Sequence, residues 1–406
     1  MTHGTSGQHG KAPDVEVRAV TLRNADLPHA DRPSLVVGGA GFVGCNLADR
    51  LLRDGREVVV FDNLARPGVE RNLAWLRATH GERLTFVAGD VRDRAAVASV
   101  VREGGGAGPV ADVFHFAAQV AVTTSLGDPA DDFEVNARGT LNVLEAVRAL
   151  RDDTGYAAPV LFTSTNKVYG ELSDAAEAHA PNGTRRYAPA DPALAATGIS
   201  EARPLDFHSP YGCSKGAADQ YVCDYARSYG LPTVVFRMSC IYGPRQFGTE
   251  DQGWVAHFLI RALDGRPITL YGDGLQVRDV LFVGDLVEAF LLARRHVGRL
   301  AGRAFNIGGG PANTTSLLEL VERVGGLTGR RPDVRFDGWR TGDQKWYVSD
   351  VRAFGAATGW QPRTSLGEGL SRLYAWLVAS RTAASRDEGS EAEESALAGA
   401  GAEARV

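Results

Sequence analysis

The stretch SLVVGGAGFVG, residues 34–44, constrains the chain most, because an apolar run passes directly into glycines at three-residue spacing. These glycines are Gly38, Gly41 and Gly44, and the amphipathic segment NLADRLLRDG continues from them. Glycine permits a tight turn at the first position, a close backbone approach to a pyrophosphate at the second, and close packing of helix on sheet at the third. The stretch therefore predicts a strand, turn and helix that bind a dinucleotide.

The same alternation of apolar runs and helical segments continues along the chain. The runs are REVVVFD, LTFVAGD, DVFHFAA, PVLFTST and PTVVFRM, and the helical segments include TLNVLEAVRALR. Continuous apolar strands that alternate with helices are typical of a parallel sheet covered on both faces. We predict an α/β fold of the Rossmann type, a doubly wound parallel sheet with a smaller C-terminal substrate-binding lobe.

Changes in composition, and in the alternation of apolar runs with helical segments, divide the chain into four parts. Both ends are polar and lack periodicity, which favours disorder, and the alternation becomes irregular beyond about residue 237. We predict a disordered extension over 1–32, an NAD-binding domain over 33–236, a lobe over 237–378 with some segments returning to the first domain, and a disordered acidic tail over 379–406.

Composition excludes several classes of protein. The 406 residues are 44% hydrophobic and 23% charged, with a formal net charge of -5, which shows no bias toward nucleic acid or membranes. The four cysteines show no CxxC spacing, which favours reduced thiols and no metal site. No stretch of about 20 apolar residues and no secretory signal is found, so we expect a soluble cytoplasmic protein.

Two acidic residues support the dinucleotide prediction. The strand REVVVFD ends at Asp62, where a carboxylate can accept hydrogen bonds from an adenosine ribose, and it would repel a 2′-phosphate. NAD is therefore favoured over NADP, although Arg66 weakens the preference because it could pair with such a phosphate. Asp90, which closes LTFVAGD, is expected near the adenine.

A tyrosine and a lysine indicate hydride-transfer chemistry. In HSPYGCSKGAADQY, Tyr211 and Lys215 are four residues apart and share one face of a helix. A neighbouring ammonium and a positively charged nicotinamide would each stabilise the phenolate of a tyrosine, whose ordinary pKa is near 10. Thr165 follows the strand PVLFTS, where its hydroxyl can orient the reacting oxygen. The three residues predict reversible hydride transfer at a sugar or other alcohol carbon.

Longer motifs extend this pattern over residues 34–377: GGAGFVG, FDNLARPG, GDVRD, HFAAQVAVTTS, NARGTLNVLEA, STNKVYG, YGCSKG, YGPRQF and QVRDVLFVGDL. Together they resemble the extended short-chain dehydrogenase/reductase family, whose members modify nucleotide-linked sugars with tightly held NAD. The stretches TSTNKVYG, LDFHSPYGCSKGAADQY, RQFGTEDQGWV and the DQ of RTGDQ are most similar to epimerases that invert C2 of a CDP-linked sugar.

The resemblance implies roles for individual residues. Thr165, Tyr211 and Lys215 would form the catalytic triad, and the family is commonly dimeric or tetrameric. The implied NAD-binding residues are Gly38, Gly41, Phe42, Val43, Gly44, Asp62, Asn63, Asp90, Val91, Ala117, Ala118, Gln119, Asn136, Thr163, Tyr211 and Lys215. The implied substrate-binding residues are Thr124, Ser125, Thr165, Asn166, Arg245, Arg278, Arg340 and Asp343, with Gln119 and Thr123 also facing the sugar.

The implied reaction is oxidation at C2 to a 2-keto sugar, rotation of that sugar, and return of the hydride to its other face. A C4 epimerase or a decarboxylase of the same family would share NAD, tyrosine and lysine, so both stay open. A 4,6-dehydratase carries Asp-Glu after its threonine, whereas this chain has Asn166 and Lys167. A non-catalytic NAD sensor or scaffold tends to lose the tyrosine or the lysine, and both are present. Whether Asn166 and Lys167 grip the sugar or only support their loop is open.

Overall fold

A computed structural model of the protein describes residues 29, 31–175 and 186–382. Most of the predicted disordered ends, 1–32 and 379–406, falls outside this range, except that a helix covering 366–382 continues past the expected start of the tail. The described strands are β1 (Ser34–Val37), β2 (Val58–Asp62), β3 (Leu84–Ala88), β4 (Asp112–His115), β5 (Val160–Thr165), β6 (Thr233–Met238), β7 (Cys240–Tyr242), β8 (Ile268–Tyr271), β9 (Val277–Phe282), β10 (Arg303–Ile307), β11 (Thr314–Ser316), β12 (Val334–Asp337) and β13 (Trp346–Tyr347).

The helices connect these strands in the alternating manner that the sequence predicts. They are α1 (Phe42–Arg53), α2 (Val69–His80), α3 (Arg94–Glu103), α4 (Val122–Gly127), α5 (Pro129–Phe133), α6 (Gly139–Thr154), α7 (Pro192–Thr197), α8 (Ser209–Tyr229), α9 (Trp254–Leu263), α10 (Val283–Arg295), α11 (Val297–Leu300), α12 (Leu317–Thr328) and α13 (Arg352–Thr358). A π-helical turn, Glu134–Arg138, leads into α6.

A seven-stranded parallel sheet in the order β10-β6-β5-β4-β1-β2-β3 forms the centre of the fold. The chain reverses its direction of strand addition between β1 and β4, which is the crevice where open α/β sheets bind ligands. The predicted parallel doubly wound sheet is confirmed, and all six predicted strands belong to it. The seventh strand, β10, was not predicted, because RAFNI is short and Asn306 interrupts its apolar pattern. The Asn306 side chain is buried and donates to the carbonyl oxygen of Ile199 over 2.8 Å.

Apolar side chains on the two faces of the sheet form separate cores. Neighbouring residues of β1 illustrate the alternation, because Val36 packs into the core that contains Leu47 and Phe290, while Val37 packs into the core that contains Val147. Helices α1, α2 and α10 cover the first face, and α3, α6 and α8 cover the second. Apart from the edge strands β3 and β10, the strands are buried on both sides, which explains why they read as continuous apolar runs.

A smaller group of elements packs beside the carboxyl ends of the sheet strands. Strand β7 begins two residues after β6 ends and pairs with β9, which also pairs with β11 and β13. Strands β8 and β12 form a separate parallel pair. Side chains of α9, α12 and helix 366–382 form the core of this lobe, including Leu259, Leu320 and Leu373. The short connection from β6 to β7 joins this lobe to the carboxyl edge of the large sheet, where the catalytic candidates lie.

Candidate active site

The glycine turn between β1 and α1 leaves no room for side chains at two of its positions. Gly38 has a φ of +78°, and a Cβ atom there would lie 2.5 Å from the backbone nitrogen of Ala117 at the end of β4. A Cβ atom on Gly44 would lie 2.3 Å from the carbonyl oxygen of Gly38. Helix α1 starts at Phe42 with Gly41 as its N-cap, so its first N–H groups face the crevice. This cradle fits the pyrophosphate of a dinucleotide.

Three polar residues at the ends of β2 and β3 extend the cradle. The carboxylate of Asp62 accepts from the backbone N–H groups of Ala40, over 3.0 Å, and Leu64, over 2.9 Å. Burial raises the pKa of this carboxyl group. The Asn63 amide donates to Asp90 over 2.9 Å, and hydrogen bonds from Arg92 hold the pKa of Asp90 at about 2. The structure thus joins Asp62 to the glycine turn through Ala40 and joins Asn63 to Asp90.

The remaining predicted cofactor residues follow the carboxyl ends of β3 and β4, lie at the start of α1, or belong to β5. Ala117 and Ala118 follow β4, and the Thr163 hydroxyl on β5 donates to the carbonyl oxygen of His115 over 3.2 Å. Val91 is buried and follows β3, while Phe42 and Val43 form the first turn of α1. Their role in binding the cofactor stays a prediction.

Thr165 and Tyr211 meet at the carboxyl end of β5. Thr165 is the last residue of β5, and Tyr211 is the third residue of α8. Burial raises the pKa of Tyr211 to about 12, and a hydrogen bond with Thr165 and the charge of Arg66 lower it. The phenol is therefore neutral at physiological pH in the protein without a cofactor.

Lys215 lies one helical turn after Tyr211 and is enclosed by the fold. Only 2% of the residue is exposed, and its Nζ atom lies 4.3 Å from the centroid of the Phe162 ring. Burial lowers the pKa of Lys215 to about 7, although Asp219 and Asp132 oppose this effect. Burial and the Lys215 charge together lower the pKa of His115 to about 3, so that imidazole stays neutral.

A buried polar cluster between α5 and α8 was missed at the sequence level. Ser214 donates to one oxygen of Asp132, and the other oxygen accepts from Gln119, over 2.9 Å, and Asn136, over 3.2 Å. Asn136 also donates to Ser214 over 3.1 Å. The spacing of Asp132 and Asn136 on one helical face was the available signal. The cluster fixes predicted cofactor residues Gln119 and Asn136 against the helix that carries Tyr211 and Lys215.

Asn166 and Lys167 contact the loop of the smaller lobe that contains RTGDQ. The Asn166 amide donates to Gln344 over 3.3 Å, and Lys167 Nζ donates to the carbonyl oxygen of Gly342 over 2.9 Å. Lys167 also lies 4.0 Å from an Asp343 oxygen. Burial and the charge of Arg278 lower the pKa of Lys167 to about 8. Both residues therefore support contact between the two parts of the fold.

The two predicted diphosphate arginines occupy different surroundings. Arg278 is buried on β9, near Lys167 and Cys240, and donates to the carbonyl oxygen of Val277 over 2.8 Å. Arg340 lies over the ring of Tyr271 with its Cζ atom 3.6 Å from the centroid, and pairs with Asp251 at 3.4 Å. Arg278 and Lys167 thus form a positive cluster that extends the cleft into the lobe.

Three predicted substrate residues, Arg245, Ser125 and Thr124, lie in different surroundings. The Arg245 guanidinium stacks 3.7 Å from the ring centroid of Trp75 on α2, with the Asp49 carboxylate and the neutral Cys45 thiol nearby, so cation–π contact holds it at the junction of α1 and α2. Ser125 is buried, and its hydroxyl accepts from the backbone N–H of Tyr211 over 3.2 Å. Thr124 is exposed on α4. The assignment of Arg245, Ser125 and Thr124 to substrate stays a prediction.

Residues 250–252 bridge the mouth of the cleft, and this too was missed. Arg66 donates to Gln252, and the Thr123 hydroxyl donates to Asp251 over 2.9 Å. Arg66 therefore faces Tyr211 and the lobe. The signal in the sequence was the polar run TEDQ within the long motif RQFGTEDQGWV.

The described segments contain neither a helix that could cross a membrane nor a cluster that could hold a metal ion. Among residues 29, 31–175 and 186–382, no helix is both long and apolar enough to cross a membrane. The same residues contain no group of three or more His, Cys, Asp or Glu side chains arranged to hold a metal ion. All four cysteines are free thiols.

Comparisons with known proteins agree with this geometry. The model of the NAD dependent epimerase/dehydratase family matches residues 34–308. CDP-paratose 2-epimerase of Salmonella typhi is 43% identical over 84% of this chain and 98% of its own length. A dTDP-glucose 4,6-dehydratase of Xanthomonas campestris is 32% identical over 86% of this chain and 93% of its own.

A solved structure is also similar to this chain along most of its length. UDP-glucose 4-epimerase of Thermus thermophilus, crystallised with NAD, superposes with a TM-score of 0.68 at 33% identity, over 85% of this chain and 98% of that one. The predicted resemblance and the predicted cofactor, NAD, are confirmed, and the glycine cradle has the shape that this cofactor needs. The chain belongs to the NAD-dependent epimerase/dehydratase family.

Proposed function

We propose that the protein is an epimerase that inverts C2 of a CDP-linked sugar, in the manner of the CDP-paratose/CDP-tyvelose interconversion. The observation that carries the proposal is the pairing of Asn166 and Lys167 with the RTGDQ loop. These two positions hold Asp and Glu in the dehydratases of the family, and neither an amide nor an ammonium replaces that acid pair in an elimination. The 43% identity to CDP-paratose 2-epimerase over nearly its whole length supports the same assignment.

Tyr211 is proposed to remove the proton of the 2-hydroxyl group and to return it after the sugar has turned. Thr165 lies within hydrogen-bonding reach of Tyr211 and would orient the reacting oxygen. NAD, when held by the glycine cradle, would supply reversible hydride transfer at C2, and its positive ring would favour the ionised form of Tyr211. Lys215 would bind the cofactor and add positive charge on the same helix face.

The positive cluster of the lobe is proposed to bind the diphosphate of the substrate. Arg278 and Lys167 lie together beside the catalytic strand, and Arg340 lies at the cleft mouth. Guanidinium groups donate two parallel hydrogen bonds to phosphate oxygens, so the nucleotide would be held firmly. Binding energy at the nucleotide, remote from C2, would retain the keto sugar while it rotates.

A homo-oligomer, dimer or tetramer, is part of the same proposal. Helix α8 exposes Tyr221 and Tyr229, which are 48% and 43% accessible, on its outer surface. Aromatic side chains of this kind are enriched in protein interfaces. Light scattering on the purified protein tests this, and a mass of one chain would contradict it.

A panel of nucleotide sugars tests the proposed reaction. The purified protein is incubated with CDP-, UDP-, GDP- and dTDP-sugars, and the products are assigned by NMR. We expect inversion at C2 of a CDP-sugar, and we expect Tyr211→Phe to lower kcat by about 100-fold or more, as loss of general acid–base catalysis does. Inversion at C4, loss of water, or release of carbon dioxide would assign the chain to another activity of its family.

A further inference from the structure

The lobe contains a strap, residues 244–252, that reaches back to the domain of the large sheet. The strap follows β7 and precedes α9. Its last four residues form a closed turn, because the backbone N–H of Thr249 donates to the carbonyl oxygen of Gln252 over 2.8 Å and the N–H of Gln252 donates to that of Thr249 over 3.3 Å. This turn places consecutive polar side chains at the mouth of the cleft.

The turn of the strap is bonded on both sides of the glycine turn. In the sheet order β4-β1-β2, the glycine turn after β1 lies between the ends of β4 and β2. Arg66, in the loop after β2, donates to Gln252, and the Thr123 hydroxyl, on the helix after β4, donates to Asp251 over 2.9 Å. The strap therefore crosses the carboxyl end of β1. Arg66 also faces Tyr211, so a dinucleotide held by the glycine turn and reacting beside Tyr211 would pass beneath the strap.

Bonds to the lobe hold the same turn from the other side, and they are exposed. The Thr123 hydroxyl and Arg340 reach the same oxygen of Asp251, Oδ1, and Arg340 lies 3.4 Å from it. Arg340 also donates to the carbonyl oxygen of Glu250 over 3.1 Å, and the Tyr271 hydroxyl donates to the Glu250 carboxylate over 2.8 Å. Exposed ion pairs contribute little to stability, so the turn can lift without unfolding of the protein.

The start of the strap is joined to the elements that form the cofactor cradle. Asn72 on α2 is fully buried, and its amide donates to the carbonyl oxygens of Ala40 in the glycine turn, over 3.1 Å, and of Arg245, over 3.2 Å. Asn46 on α1 donates to the carbonyl oxygen of Pro244 over 3.0 Å. Residues 244 and 245 therefore stay with the cradle when the turn of the strap moves.

Side-chain contacts fix this start further. Arg245 has a φ of +72°, and a residue other than glycine keeps such a conformation only where its surroundings fix it. Here Asn72 binds its carbonyl oxygen, and its guanidinium stacks on Trp75. The Phe247 ring packs on Gly68, where a Cβ atom would lie 2.7 Å from it. The strap thus has a fixed start and a turn held by exposed bonds.

We propose that the turn 249–252 closes over the pyrophosphate of bound NAD and slows both the release and the entry of the cofactor. Exchange of NAD then requires that the bonds from Arg66 to Gln252 and from Thr123 to Asp251 break. A closed strap suits the proposed function, in which one cofactor molecule must stay bound between two hydride transfers. The inference goes beyond that function, because it needs only the cofactor that the family uses.

Gln252→Ala and Asp251→Ala test the proposal in the full chain, with NADH as the probe. Stopped-flow fluorescence measures association of NADH with the NAD-free protein, and displacement by excess NAD measures its release. Each variant removes a hydrogen bond that involves a charged group, so both rate constants should rise by roughly tenfold while the dissociation constant of NADH changes little. The two variants release opposite sides of the turn, and thermal unfolding shows that each is folded.

The pair of rate constants separates a closing strap from a simple contact with the cofactor. A side chain that only binds NADH would raise the release rate when removed, leave association unchanged, and weaken affinity. Gln361→Ala is the matched control, because Gln361 is an exposed glutamine in the loop after α13 and should leave both rate constants as they are.

An association rate that does not rise in the two folded variants would overturn the inference, whatever the release rate does. Equal changes in Gln252→Ala and Gln361→Ala would overturn it too. The measurement needs no sugar substrate, so its failure leaves the C2 reaction untouched. Faster exchange of NADH in both variants, together with no C2 inversion of any sugar, would keep this inference and reject the proposed function.

Discussion

The ammonium nitrogen of Lys215 lies 4.3 Å from the centroid of the Phe162 ring, inside a fold that leaves 2% of the lysine exposed. Because burial lowers its pKa to about 7, the unfolded chain binds a proton between about pH 7 and 10.5 that the folded chain without cofactor does not. The free energy of unfolding therefore rises with pH across this window on account of Lys215. Lys215→Met should stabilise the NAD-free protein at pH 7 by roughly 2–4 kcal/mol.

This gain should shrink as the pH rises and vanish above about pH 10.5, where both states of Lys215 are neutral. Urea unfolding of both proteins at pH 7 and pH 9.5 measures the difference. The same gain at both pH values would contradict the account, because it would then come from packing alone.

Asp219 secures the catalytic helix to the sheet through a buried ion pair. Its two oxygens accept from Arg237 Nε and Nη2, each over 2.9 Å, and both side chains are buried. Asp219→Ala leaves an unpaired buried guanidinium, which should lower the free energy of unfolding by about 3–5 kcal/mol. Asp224→Ala is the control on the same helix, because Asp224 pairs with Arg227 at the surface and should cost less than about 1 kcal/mol. If urea unfolding shows equal losses of unfolding free energy in Asp219→Ala and Asp224→Ala, the expected difference between the buried and the surface ion pair is wrong.

The glycine turn should tolerate no methyl group at position 44. A Cβ atom there would lie 2.3 Å from the Gly38 carbonyl oxygen and 2.7 Å from the Gly39 Cα atom, so the turn must move. Overpacking costs about 1–3 kcal/mol, and Gly44→Ala should weaken NAD binding by about 10- to 100-fold in calorimetry. Gly298→Ala, where no atom lies within 4 Å of the added carbon, should bind NAD as the natural chain does. Unaltered NAD affinity in Gly44→Ala would show that the turn does not hold the cofactor.

Arg66 should affect the pH dependence of turnover, because its charge lowers the pKa of Tyr211. Arg66→Gln removes that charge and also its bond to Gln252. The pKa of Tyr211 rises, so the acid side of the kcat profile should move to higher pH, with a loss of rate at pH 7 that higher pH restores. Arg53→Gln on the exposed face of α1 is the control. A uniform loss of rate at all pH values would assign Arg66 to bridging the cleft only.

The parts of the site that were predictable from sequence are those set by local spacing. Gly38, Gly41 and Gly44 define a turn, and Tyr211 and Lys215 lie one helical turn apart. Each of these patterns depends on neighbours within about ten residues. The six predicted strands were recognisable because burial on both faces leaves their apolar runs uninterrupted.

The parts that were missed depend on contacts between distant segments. Asn166 and Gln344 are 178 positions apart and meet only in the folded chain, where β13, just after Gln344, pairs with β9 of the lobe. The stacking of Arg245 on Trp75, a residue of a distant segment, was likewise not predicted. Single-sequence patterns contain no information on which of two aromatic or anionic partners a long side chain will reach.

The central claim is that C2 of the sugar is oxidised and reduced by one bound cofactor, and a substrate deuterated at C2 tests it most directly. The account predicts a CDP-sugar product with inverted C2 that retains its deuterium when the reaction runs in ordinary water, seen by ²H and ¹H NMR. Loss of the deuterium to solvent, or inversion at C4 with C2 unchanged, would contradict it.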